Sequence, residues 1–312
     1  MTLTQLEYIL AVESTGSFSK AAKQCFVTQP TLSMQIRKLE EELGVVIFDR
    51  GRQPVVPTLV GLEILKQARE SVRGMLRIDD VIREHQKVVH GELRLGIIPT
   101  LASCLLPLFL NEFLAHYREI KLVVEELLTD QIVRRLKHDE LDVAIIVTPL
   151  YDPEIIESPL FYEEFVVYLS PNHEFARQKT IELDRLDGHE MVLLSEGHCF
   201  RNQVLRLCRD SMIGSSTRRL RFESGSLDTL RRVVERGYGY TLLPELAVQE
   251  LSVSEKRHVR RLKRPAPTRE VSLVMHRSLA KKTIVDALRD EIIARIPERM
   301  KRKHGTVTEW KL

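Results

Sequence analysis

From Gly91 onward the chain repeats one texture, in which short apolar, β-branched runs alternate with amphipathic stretches of helical length. "LRLGIIP", "KLVVEEL", "LDVAIIV", "EEFVVYLS", "EMVLLS", "RRLRFES", "YTLLPE" and "EVSLVMH" have the length and composition of buried strands. "TDQIVRRLKHDE", "SLDTLRRVVERG" and "KKTIVDALRDEIIARI" place their apolar residues at helical spacing. Such alternation predicts an α/β fold of parallel sheets with crossover helices. The span of about 210 residues suits two lobes with a cleft between them, and in open α/β sheets ligands gather beyond the carboxyl ends of the strands.

The first ninety residues are different. "SFSKAAKQCF" begins with a capping serine and brings Ala21 and Ala22 for close helix packing. "VTQPTLSMQIRKLEEELG" starts a second helix at a Thr28 cap with Pro30 in its first turn. Leu32, Ile36, Leu39 and Leu43 repeat at helical spacing before Gly44 stops it. Gln29, Thr31, Ser33, Gln35, Arg37 and Lys38 form the polar side. Two helices joined this way suit a helix-turn-helix whose second member lies in the DNA major groove, or a small bundle with a merely wet face. A glutamine matches adenine bidentately, and Ser and Thr reach bases or phosphate. In "FDRGRQPVVPT", Arg50 and Arg52 flank Gly51 in a turn expected to lie as a wing against the DNA backbone.

From Thr58 about thirty residues run without proline, with Leu62, Leu65, Val72, Met75, Leu76 and Ile82 as an apolar stripe. A helix this long has little of its own chain to pack on, so dimerisation is its expected use, with packing on the C-terminal region the alternative.

The net charge of +3 is uneven: residues 295–312 hold six Lys and Arg against two Asp and Glu, and the rest is near neutral. Residues 301–312 are therefore expected to be a disordered basic tail. No secretory signal is visible, and the longest uncharged run, Leu95 to Leu110, has two prolines and is too short to span a membrane. A cytoplasmic protein with reduced cysteines is expected. The motifs G-x-S-x-G, H-E-x-x-H and the P-loop are absent, so an enzyme is not expected and no cofactor is called for.

"GHCFRNQVLRLC" places Cys199 and Cys208 nine positions apart in a helical pattern. On the residues alone, inert core thiols, metal ligands together with His198, and a redox pair all stay open; no metal site is expected, because a fourth ligand is lacking and the spacing is long. Nine helical residues rise about 13.5 Å, whereas a disulfide needs Cα atoms within about 7 Å. If the segment is helical when reduced, a disulfide requires that helix to be dismantled.

"FSKAAKQCFVTQPTLSMQIRKLEEELGVVIFDR" closely resembles the winged helix-turn-helix of LysR-type transcriptional regulators. "GHCFRNQVLRLC", followed by "SLDTLRRVVERGYGYTLLPELAV", resembles the hydrogen-peroxide-sensing members of that family, and the match runs across most of residues 1–300. The resemblance implies a winged helix-turn-helix at 1–58, a linker and dimerisation helix at 59–90, and a two-lobed regulatory domain like periplasmic binding proteins at 91–300. It sets the residues matching Gln29, Pro30, Thr31 and Ser33 at operator DNA, with the wing arginine Arg52 close by; Thr28, Arg37 and Arg50 are added as DNA-facing candidates on the residue pattern. It makes Cys199 the peroxidatic and Cys208 the resolving cysteine, with Thr100, Thr129 and His198 around the peroxide and Arg269 favouring the thiolate. On the residues alone, Thr100 and Thr129 also read as helix N-caps. Asn202 stands where these proteins often carry aspartate, and Cys25 and Cys104 read as structural. A dimer of dimers, contact with RNA polymerase and resetting by a thiol reductant are further implications. The alternative is a LysR-type regulator that answers to a small metabolite in the cleft.

Overall fold

The computed structural model describes residues 1–86, 89–186, 190–207, 222–279, 281–303 and 305–309. Two compact units emerge, residues 1–88 with 278–282, and residues 89–277 with 283–312.

In the first unit, α1 (Leu3–Thr15), α2 (Phe18–Gln24) and α3 (Gln29–Leu43) precede a hairpin of β1 (Phe48–Asp49) and β2 (Val56–Pro57) and the long α4 (Leu59–Gln86). The sequence reading had not identified α1, although its signals are present. Thr2 and Gln5 form a capping box, and Gly16 ends the helix with a left-handed φ of 61°. Ile9, Val12, Ala21, Leu32, Ile36, Leu39, Phe48 and Leu65 close the core. Gln5 reaches from α1 to α3, where its amide donates to the Gln35 side chain at 3.3 Å.

Glu40 organises the hairpin from α3. One carboxylate oxygen accepts from the Ile47 and Phe48 amides at 2.8 and 3.3 Å, and the other from Arg50 at 2.7 Å. Gly61 is the tight point where α4 meets the hairpin. A Cβ there would lie 2.2 Å from the Ile47 carbonyl oxygen, which accepts from the Thr58 amide at 2.9 Å. On α4, Leu65 and Ala68 are buried, whereas Leu59, Leu62, Met75 and Ile78 stay exposed. The side chains of Leu76 and Ile82 fall outside the described set.

The second unit runs β3 (Gly91–Ile97), α5 (Pro99–His116), β4 (Ile120–Glu126), α6 (Thr129–Lys137), β5 (Val143–Thr148), β6 (Ile155–Leu169), β7 (Thr180–Ile181), β8 (Leu193–Leu194), α7 (Cys199–Leu207), β9 (Glu223–Ser224), α8 (Leu227–Glu235), β10 (Tyr240–Pro244), α9 (Val253–Lys256), β11 (Val259–Leu262), β12 (Pro267–His276), α10 (Lys282–Arg295) and β13 (Thr306–Val307). The fold is α/β and two-lobed, as expected, but the expectation of parallel sheets holds only in part, since the sheet is mixed. β3 pairs parallel with β4 and β5, whereas β12 runs antiparallel to both β5 and β6, and β6 antiparallel to β10 and β11. The reason is that β6 and β12 are long enough to serve both lobes. β6 pairs with β12 through Glu164 and with β10 from Phe165, so one strand passes from the first lobe into the second. The "RRLRFES" expectation falls partly outside the described residues, with Glu223–Ser224 as its strand.

The expectation of a disordered tail from residue 301 is also corrected. Thr306 and Val307 pair parallel with Pro267 and Thr268, and the Thr308 amide donates to the Thr268 carbonyl at 2.7 Å. Charge composition concealed this, because the ordering comes from backbone pairing.

Gly61→Ala is expected to push the hairpin off α4 at a cost of about 1–3 kcal/mol. Amide hydrogen exchange at Thr58 should accelerate while β3 and β5 keep their protection; unchanged exchange at Thr58 would contradict this packing.

Candidate functional site

The DNA-facing candidates gather at the start of α3 and on the hairpin. Thr28 caps α3, its hydroxyl accepting from the Thr31 amide at 3.4 Å and lying 2.8 Å from the Thr31 hydroxyl. Gln29, Pro30, Thr31 and Arg37 are exposed and Ser33 is half-buried, so the buried Leu32–Ile36–Leu39 stripe leaves the polar face outward. Arg52 is exposed at the hairpin turn, 3.2 Å from Asp49. Arg50, exposed on the same hairpin, is also tied to α3. Its guanidinium pairs with Glu40, reaches Ser33 at 3.4 Å and lies 5.0 Å over the Phe18 ring, which makes it a brace for the hairpin.

The second cluster lies between the lobes of the regulatory unit, around a buried ion pair. Arg269 on β12 and Glu163 on β6 stand directly opposite in register, and both are almost fully buried. Arg269 donates to Glu163 from Nε at 2.8 Å and lies 2.7 Å from it through Nη2. The other Glu163 oxygen accepts from the Leu246 amide at 2.9 Å. Arg269 also donates to the Thr100 hydroxyl at 3.2 Å and the Thr100 carbonyl at 3.3 Å, and sits 5.2 Å over the Phe200 ring. Phe200 stacks on Phe165 at 5.5 Å.

Cys199 opens α7 and is buried beside this cation. Burial pushes its thiol up from the ordinary value; the Arg269 charge, the Thr129 hydroxyl and the Phe200 backbone amide pull it down. The expected thiolate-favouring role of Arg269 is therefore present in sign, but burial outweighs it. Thr100 and Thr129 are not N-caps, since Ile98 and Leu128 hold those positions. The Thr129 hydroxyl is buried and makes no hydrogen bond of ordinary geometry, which leaves a donor and lone pairs next to the thiol. His198 is also buried, and desolvation lowers its pKa against the pull of the Glu126 carboxylate, so its ring is neutral near pH 7. Gly197 precedes it with a left-handed φ of 92°, which turns the chain from β8 into α7.

Cys199, Thr100, Thr129 and Arg269 thus come together; His198 adjoins Cys199 in the chain, with its ring facing Gly225 and the Glu126 carboxylate; Cys208 lies outside the described residues. Among the described residues no group of three or more His, Cys, Asp and Glu gathers as a metal site. Cys104 is buried nearby, pushed up to about 12 chiefly by desolvation. Cys25 is half-buried and also raised, by burial and by Glu7. Sequence reasoning missed Glu163 and Phe200. The usable signal for Glu163 was an acid in phase with Phe165 and Val167 on the inward face of a strand.

The profile described as "Bacterial regulatory helix-turn-helix protein, lysR family" matches residues 3–62, and the "LysR substrate binding domain" profile matches residues 86–296. The chain belongs to the LysR family. It is therefore a DNA-binding transcriptional regulator and not an enzyme. It is similar to the "Hydrogen peroxide-inducible genes activator" of Haemophilus influenzae, with 34% identity over 88% of this chain and 90% of that one. Full-length OxyR of Pseudomonas aeruginosa, solved as a Cys-to-Asp variant, superposes with a TM-score of 0.82 and 31% identity, covering 97% and 98% of the two chains. A cysteine variant of Corynebacterium glutamicum OxyR, solved with hydrogen peroxide bound, gives a TM-score of 0.61 and 27% identity over 94% and 92%. No helix among the described residues is long and apolar enough to cross a membrane.

Because the Cys199 thiol is raised, its thiolate fraction and its alkylation rate should climb about tenfold per pH unit from pH 7 to 9. Thr129→Val should slow Cys199 further at pH 8 and leave Cys25 unchanged. Peptide-resolved iodoacetamide kinetics check both outcomes, and a plateau below pH 8 would contradict the burial argument.

Proposed function

We propose that this LysR-family chain is a hydrogen-peroxide-responsive transcription activator whose sensor is Cys199. The observation that carries the reading is the buried Cys199 thiol set beside the buried Thr129 hydroxyl and the Arg269 cation. Peroxide is small, needs hydrogen-bond partners on both oxygens, and reacts with a thiolate. The Thr100 hydroxyl accepts from Arg269 and so keeps its own proton to donate, and neutral His198 adds a ring nitrogen.

In the first step the Cys199 sulfur attacks one peroxide oxygen and the O–O bond breaks. The thiol proton goes to the departing hydroxide, which leaves Cys199 as a sulfenic acid plus one water. In the second, the Cys208 thiol attacks that sulfur, forms the S–S bond and releases a second water. A thiol reductant reverses the disulfide by exchange. α7 spans Cys199–Leu207. At helical rise its ends lie about 12 Å apart, beyond the 7 Å or so that a disulfide tolerates. Disulfide formation therefore unwinds α7, and a covalent event drives a bistable element.

In the first unit, the outward side of α3, with exposed Gln29, Thr31 and Arg37 and half-buried Ser33, reads the major groove, and Arg52 approaches the backbone. The exposed apolar residues of α4 pair two chains, two such dimers occupy paired half-sites, and unwinding in the regulatory units changes their spacing. Contact with RNA polymerase follows from the activator reading suggested by the names of the relatives.

Footprinting on the operator tests this. One equivalent of peroxide should alter the wild-type footprint, whereas Cys199→Ser and Cys208→Ser should keep the reduced pattern. A wild-type footprint that ignores peroxide but shifts with a metabolite would replace the reading with a cleft-ligand one. Gln29→Ala should lose about 1–3 kcal/mol of discrimination at a single base position in the same assay.

A further inference from the structure

α7 carries more than the thiol. Cys199, Gln203 and Arg206 fall at i, i+4 and i+7, along one face of the helix. Gln203 is fully buried, and its Nε2 donates to the Thr308 carbonyl at 2.6 Å, while its Oε1 has no partner among the described residues. One turn on, Arg206 pairs with Glu309 at 3.4 Å, and Glu309 also accepts from the Tyr151 hydroxyl at 2.5 Å.

The segment so held is a built part of the fold. β13 pairs with β12, the Thr308 amide donates to Thr268, and the Thr268 hydroxyl donates to the Thr306 carbonyl at 3.3 Å. Gly305 lets it pass, with φ of 69° and an ideal Cβ only 2.3 Å from the Ala266 carbonyl oxygen. Thr268 neighbours Arg269, so the segment is anchored at one end to the strand that bears the cation and at the other to the helix that bears the thiol.

We infer that residues 305–309 are a clasp on the reduced sensor, with Gln203 as its positioning residue, and that oxidation releases it. The amide of Gln203 reaches Thr308 only while α7 is helical; unwinding α7 to join Cys199 and Cys208 withdraws Gln203 and Arg206 together. The inference rests on the proposed disulfide switch and adds to it a segment that moves. Because the clasp binds one redox state alone, it favours the dithiol by linkage. Removing it shifts the dithiol–disulfide exchange with oxidised glutathione, which yields two reduced glutathiones for each disulfide formed, toward the disulfide.

The test is hydrogen exchange of the full chain, reduced and after one equivalent of peroxide, with the same peptides mapped for the Cys199–Cys208 disulfide. The peptide covering residues 305–309 should be protected in the reduced protein and exchange at least about tenfold faster once the disulfide is present. Gln203→Leu should give the fast exchange already in the reduced state, and should move the glutathione equilibrium about fivefold to tenfold toward disulfide. Asn202→Ala, on the same turn, should do neither. A disulfide that forms while the segment stays protected overturns the clasp and leaves the switch standing. Unchanged exchange in reduced Gln203→Leu overturns the clasp without reference to peroxide. Failure of the disulfide to form overturns the switch, and with it the redox release.

Discussion

The regulatory unit depends on placing a guanidinium and a carboxylate where no water reaches. An isolated buried charge costs several kcal/mol, and a buried pair is tolerable only when its remaining hydrogen-bonding capacity is met. Here it is met in detail: Glu163 takes two contacts from Arg269 and one from the Leu246 amide, and Arg269 turns Nη1 and Nη2 to Thr100 and its face to Phe200. The pair stands where β6 leaves β12 for β10, at the passage between lobes. Removing either partner strands the other charge at the point that both lobes share.

That position gives the site its chemistry. Each lobe contributes what the other lacks: α7 brings Cys199 and Phe200, while α5 and α6 bring Thr100 and Thr129. Arg269 acts both on the thiol and on the Thr100 hydroxyl. Burial opposes it, so the resting thiol is held protonated and its reactivity is conditional on what enters the pocket. A sensor benefits from that opposition. A thiol exposed enough to ionise freely would react with many electrophiles, whereas on the proposed reading this one answers to a small molecule able to engage the hydroxyls beside it.

Much of this was legible in the sequence for identifiable reasons. The second helix of the motif followed from local signals, namely the Thr28 cap, Pro30 in the first turn and the Leu32–Ile36–Leu39 stripe, all fixed within a few residues of chain, while the choice of a DNA-binding helix-turn-helix over a small bundle came from family resemblance. The pocket residues Cys199, Thr100, Thr129, His198 and Arg269 were named from family resemblance, since no spacing links positions that meet only through folding. Glu163 was missed because a buried acid is defined by a partner more than a hundred residues away. The antiparallel run of β6 and β12 and the docking of Thr306–Val307 were missed for the same reason: strand direction and backbone pairing are tertiary facts. Arg50 was assigned to DNA by its place in a turn, and its commitment to Glu40 becomes visible only when α3 and the hairpin are packed together.

On the proposed reading, Cys199 is the group that peroxide oxidises and that Cys208 then captures. The most direct measurement is quenched-flow mass spectrometry of fully reduced protein given one equivalent of hydrogen peroxide, with free thiols alkylated at each time point. The account predicts sulfenic acid at Cys199 within seconds, followed by a Cys199–Cys208 disulfide, with Cys25 and Cys104 still free. Oxidation that begins at Cys25, or a Cys199 that stays reduced while peroxide persists, would contradict it.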